Sequence, residues 1–141
     1  MTEKGYTDRK SVIDGIPESF TALMKAYKIG KKSSKVGFDW DNVCGTLDKL
    51  EEEVKELRQA VENGDDETHI EEELGDVLFS ASNVSRKLKF QPETVLNNAV
   101  KKYYNRFTLM VLSLMLLLLM VVVVLVIISG CLLVIMMLML V

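Results

Sequence analysis

The chain has 141 residues, the size of one small domain with its extensions. Its net charge is −3, with acidic and basic residues interleaved and no long basic run, which excludes an ordinary nucleic-acid-binding surface. Every charged residue falls before Thr108, so the 49% hydrophobic content averages a polar domain with an apolar tail.

Cys44 and Cys131 are too few for a disulfide framework and fit a reducing compartment, with Cys131 set in apolar surroundings. No apolar N-terminal segment reads as a secretory signal. Residues 1–15 are polar and aperiodic and are expected to form a flexible arm. Ile16 opens the ordered part. Pro17 suits a first helical turn, and Phe20, Leu23, Met24 and Tyr27 follow at spacings of three and four, which predicts a helix to about Ser34 in spite of Gly30. Val36 to Trp40 then forms an aromatic turn.

A second helix is expected from about Thr46 to Glu62, with Leu47, Leu50, Val54, Leu57 and Val61 as its core stripe and Asn63-Gly64 as its stop. Thr68 to Glu71 has the spacing of a capping box and predicts the start of a third helix. Its apolar side is Ile70, Leu74, Val77, Leu78, Ala81 and Val84, and its end is expected near Lys89. Pro92 starts a fourth helix with Val95, Leu96, Ala99, Val100, Tyr103 and Phe107 on one side. No run alternates like a strand. The fold class is therefore all-α, with four helices of which the second and third form a hairpin, followed by an apolar C-terminal helix.

From Leu109 to Val141 about 33 residues are uninterrupted by charge, more than the roughly 20 that cross a bilayer core. The tail, residues 108–141, is a candidate transmembrane segment with Ser129-Gly130 as its expected break or tilt. Lys101, Lys102 and Arg106 precede it, which puts the folded domain in the cytoplasm at the inner face of the membrane.

Two acidic clusters carry the chemistry. Glu53 with Glu56, and Glu73 with Asp76, are each three residues apart and so share a helix face. If the two helices pair antiparallel, four carboxylates meet, and hard oxygen donors of that charge suit Mg²⁺, or Mn²⁺ in its place. The bland alternative is a solvated acidic face, which a single cluster would favour; two matched pairs separated by a turn favour the metal. Trp40 reads either as a core plug or as a stacking surface for a base. His69 reads as a solvated first-turn residue or as a group near phosphate, and Lys102 and Arg106 read as phosphate or headgroup contacts.

In that order along the chain, Lys35 to Trp40, Leu47-Asp48-Lys49-Leu50, the EExxE set Glu52, Glu53 and Glu56, the ExxD set Glu73 and Asp76, Asn83, and Lys102 with Arg106-Phe107 resemble the all-α nucleoside triphosphate pyrophosphohydrolases of the MazG type. The resemblance spans about residues 16–107. It implies a homodimer that converts a nucleoside triphosphate to monophosphate and pyrophosphate and so cleans the nucleotide pool. It also implies that Glu53, Glu56, Glu73 and Asp76 hold Mg²⁺, that Glu52 orients or deprotonates the attacking water with Glu53 beside it, and that Lys49, Lys102 and Arg106 grip phosphates, with His69 and Trp40 as further substrate contacts. Gly30, Val100 and His69 depart from the family's usual residues, and the apolar tail replaces its polar C-terminal segment. The rival expectation is a membrane-anchored helical binding module of the same fold without turnover.

Overall fold

A computed structural model describes residues 11–139, with the side chains of 131–134 and 136–138 outside the description. Residues 1–10 of the expected arm, and the surroundings of Cys131, lie outside the described residues. Four helices follow one another: α1 (Ala22–Ser34), α2 (Val43–Asn63), α3 (Glu67–Lys87) and α4 (Pro92–Met139). No strand occurs among the described residues, so the all-α expectation holds. The chain divides into two units, one ending at Asn97 and the other starting at Asn98.

The helix boundaries are set by caps that periodicity did not reveal. Pro17 belongs to a separate turn closed by the Phe20 amide donating to the Pro17 carbonyl at 3.2 Å, and α1 starts only after Thr21, whose Oγ1 accepts from the Met24 amide. Asn42 caps α2 by accepting from the Gly45 amide at 3.1 Å, which begins that helix three residues before Thr46. At its end Gly64 takes a left-handed φ of 72°, and the Asp65 amide reaches back to the Ala60 carbonyl at 3.0 Å, as the Asn-Gly stop predicted. The Thr68–Glu71 box is not the start of α3. Asp66 is the cap, accepting from the His69 amide at 3.0 Å, so the helix begins at Glu67 and Thr68 already lies inside its first turn. Within the second unit, α4 runs through Ser129-Gly130 without the expected break; a lone glycine costs a helix about 1 kcal/mol, which does not end it.

In the first unit α3 is the central element, packed by α2 and by α1. Thr46, Glu53 and Ala60 recur every seven residues, so one line of α2 is buried. Ala60 and Pro92 are the apolar residues with buried side chains in the described chain, and the other buried side chains there are Thr46, Glu53, Ser80, Ser82 and Asn83. The expected core stripe of α2 is therefore split. Leu50 and Leu57 are half-buried, while Leu47, Val54 and Val61 face outward, because α3 approaches on the side of Thr46, Glu53 and Ala60. On α1, Gly30 is buried, and a Cβ there would collide with Asn83 Oδ1 and meet Arg86 Nε at 2.8 Å, so this glycine permits the close contact of α1 with α3.

The loop between α1 and α2 is fastened to the C-terminal end of α3. Asp39 accepts from Arg86 through both oxygens, at 2.6 and 3.1 Å, and lies 3.1 Å from Lys87 Nζ, which also donates to the Trp40 carbonyl. The Arg86 hydrogen bonds hold the Asp39 carboxyl down at about 2, against 3.8 for a free one, with Lys87 adding to the effect and burial opposing it. The folded value is the lower one, so this clamp stabilises the fold fully above pH 4 and loses its effect as the pH falls toward 2. Asp39→Asn is expected to cost about 2 kcal/mol at pH 7 and to flatten the urea midpoint between pH 4 and 2. Equal midpoints for the two proteins at pH 7 would remove the clamp from the account.

Candidate metal and active site

The α2–α3 hairpin determines the site. Glu53 lies on the buried line of α2, and Glu73 and Asp76 lie one turn apart on α3. The hairpin brings one carboxylate oxygen of each to within 4.8 Å of the others. Glu53 is buried, Glu73 is half-buried and Asp76 is open to solvent, so the cluster has a closed side and an open one. Glu56 is outside this trio. It sits exposed one turn beyond Glu53, where desolvation first and contact with the Glu53 carboxyl second raise its carboxyl above the ordinary value, against the pull of Lys49.

Lys49 is where the structure adds most to the sequence. Its Nζ lies 2.9 Å from Glu52 and 2.9 Å from Glu53, so the residue expected on phosphate is bound to the acidic site itself. Hydrogen bonds to Glu52 and then Glu53 raise its pKa above the usual lysine value. The i,i+3 and i,i+4 spacings were visible signals for this pairing. His69 stands between two carboxylates, 3.6 Å from Asp65 and 3.8 Å from Glu73, and so borders the site. Glu52 is exposed and has Lys49 as its partner.

Trp40 is half-buried over the first turn of α2. A Cβ on Gly45 would meet its Cδ1 at 2.9 Å, so the missing side chain at Gly45 makes room for the indole. Gly37, Phe38, Asp39 and Trp40 line a shallow hollow of 270 Å³, with Phe38 fully presented to solvent at 80% exposure. Lys102 and Arg106 lie one turn apart on α4 in the second unit, both exposed, and neither has an ion pair among the described residues.

The donor set fits a divalent cation. Glu53, Glu73 and Asp76 supply three formal negative charges through oxygen, and oxygen donors of that charge suit a dication. Such an arrangement can hold a cation that in turn holds a phosphate.

Comparison with known proteins agrees with this geometry. Residues 41–108 match the family model of the MazG nucleotide pyrophosphohydrolase domain. The chain is 40% identical over 109 residues to the nucleoside triphosphate pyrophosphohydrolase of Escherichia coli (strain K12), an alignment covering 74% of this chain and 40% of that protein. It is 43% identical over 108 residues to the nucleoside triphosphate pyrophosphohydrolase/pyrophosphatase MazG of Thermotoga maritima, covering 77% of this chain and 40% of the relative. The chain thus spans about two fifths of the length of these relatives.

Proposed function

We infer, since residues 41–108 belong to the MazG nucleotide pyrophosphohydrolase family, that this protein hydrolyses nucleoside triphosphates to monophosphate and pyrophosphate. The observation that carries the reading is the convergence of Glu53, Glu73 and Asp76 from two helices. These three, with Glu56 beside them, hold Mg²⁺, for which Mn²⁺ can substitute. Once bound, the ion neutralises triphosphate charge and acidifies a water at the site. Glu52 orients or deprotonates the attacking water, a role supported by its exposed position next to the trio. Lys102 and Arg106 bind phosphate, a role supported by their exposure one turn apart with no ion pair among the described residues. Trp40 contributes a substrate contact at the edge of its hollow, and His69 contributes one beside Glu73. The cellular task of such chemistry is removal of surplus or noncanonical nucleotides from the cytoplasmic pool.

The test is product analysis with a panel of nucleoside triphosphates on the full chain in detergent, with and without Mg²⁺. Pyrophosphate and monophosphate are expected, in the presence of Mg²⁺ only. Release of orthophosphate contradicts the reading. No product from a protein that still binds Mn²⁺ selects the catalytically inactive binding module instead.

Two further parts of the reading concern assembly. The first unit leaves Leu47, Val54, Val61, Leu74, Leu78 and Phe79 largely uncovered, which supports a homodimer in which a second copy covers them. The apolar part of α4 supports insertion in a membrane from residue 109 on: the helix reaches a mean hydropathy of 3.5 with none of that stretch buried. Its lipid contact is expected to survive high salt and alkaline extraction of vesicles carrying the full chain. Recovery of the protein in the alkaline supernatant would refute the anchor.

A further inference from the structure

Glu53 has 7% of its surface exposed and lies in a cluster with Glu73 and Asp76, so it needs a countercharge whether or not an ion is bound. Among the described residues, Lys49 is the one lysine or arginine within ion-pairing distance of any of the three, at 2.9 Å from Glu53. It also spans to Glu52 at 2.9 Å, so its ammonium sits across the pair of carboxylates on which the water and the cation are assigned. The side chain is about one third exposed, with a four-carbon stem free to turn toward solvent.

We propose that Lys49 is the resident counter-ion of the acidic site, that it releases Glu53 when a divalent cation binds, and that its freed ammonium then takes hold of the nucleotide's phosphates. The proposal rests on the metal reading given above and adds to it an exchange. An ammonium and a dication cannot both sit at adjoining oxygens of Glu53 without strong repulsion, and the dication makes the stronger claim on three carboxylates. Lys49 is then left beside Glu52 with its charge available. Metal and nucleotide binding are thereby linked: loading the site frees the phosphate contact, and a phosphate that holds Lys49 away from Glu53 tightens the metal. By reciprocity the two effects are equal in free energy. A lysine engaged only with phosphate would have no such effect on metal affinity in the absence of nucleotide.

The experiment is calorimetric titration of Mn²⁺ into the full chain in detergent, without nucleotide, for the wild type, Lys49→Met, Lys49→Arg and Glu53→Gln. Lys49→Met is expected to bind Mn²⁺ about tenfold more tightly than wild type, since the internal competitor is gone, and to lose the further tightening that a nonhydrolysable triphosphate gives the wild type. Lys49→Arg keeps the charge and is expected to show no such gain. If Lys49→Met binds Mn²⁺ no better than wild type while Glu53→Gln binds none, the exchange is wrong and the metal site stands. If the wild type binds no Mn²⁺, both fall. A second measurement needs no variant: in ¹⁵N spectra of the wild type, the Lys49 ammonium is expected to lose its carboxylate-bonded resonance as Mg²⁺ is added, and a resonance unmoved at saturation overturns the proposal even if Lys49→Met does not fold.

Discussion

Glu53→Gln is expected to reduce Mg²⁺-dependent pyrophosphate release by about 100-fold or more while far-ultraviolet circular dichroism stays that of the wild type; even residues that support a metal ligand from outside the coordination shell cost about 10- to 100-fold when removed. Glu53 is the only member of the converging trio that is buried, and it is the member contributed by α2, so its loss leaves Glu73 and Asp76 on α3 without the donor that closes the site. The amide retains the shape and can still accept a hydrogen bond from Lys49 within α2, so the substitution leaves the local packing of that helix in place. The sign of the stability change separates this from a folding defect. Removing one of three mutually repelling carboxylates is expected to leave the metal-free protein as stable as wild type or slightly more so, and to abolish the rise in melting temperature that Mg²⁺ gives the wild type. Activity near the wild-type level in a folded Glu53→Gln protein would falsify the assignment of the site. An equivalent loss of melting temperature in both the presence and absence of Mg²⁺ would make Glu53 a structural residue.

The carboxylates of this site were legible because their spacing is a property of the helix alone. Glu73 and Asp76 share a face whatever surrounds them, and the Asn-Gly stop after α2 requires the chain to turn back, which brings Glu53 opposite. The sequence was a poorer guide where neighbours decide. Thr68–Glu71 has the spacing of a capping box, yet Asp66 reaches the free amide of His69 and takes the cap. Leu47 and Val54 belong to the apolar stripe by periodicity but stay outside, since α3 packs against Thr46, Glu53 and Ala60. Periodicity reports that a face is apolar and leaves open which element covers it. Asp39, Arg86 and Lys87 are 47 or 48 positions apart in sequence, and no local pattern announces their clamp. Lys49 is the instructive intermediate case. Its i,i+4 relation to Glu53 is plain in the chain, whereas its resting place on the acidic site follows only once Glu53 is seen to be buried.

Val54→Glu combined with Val61→Glu is expected to convert the full chain in detergent from dimer to monomer, raising the dissociation constant by at least about 1,000-fold, a shift of about 4 kcal/mol. The two valines lie seven residues apart, in register with Leu47, on a strip of α2 that the first unit leaves 42 to 57% exposed. Covering what remains of each valine is worth about 1 kcal/mol, and a symmetric interface counts each substitution twice, before the cost of placing carboxylates against an apolar face. The proposed interface accords with the thinness of the protomer. With Ala60 and Pro92 as the apolar residues in its buried core among the described residues, the first unit has a thin core of its own. Stability of the wild type is therefore expected to rise with protein concentration, and that of the double variant to be low and independent of it. The substituted positions are not members of the acidic trio, so Mn²⁺ binding by residual folded protein separates loss of assembly from damage to the site. Sedimentation with the detergent contribution matched out is the measurement. A dimer that survives both substitutions would move the association to the apolar helix and leave the exposed strip of α2 without a partner.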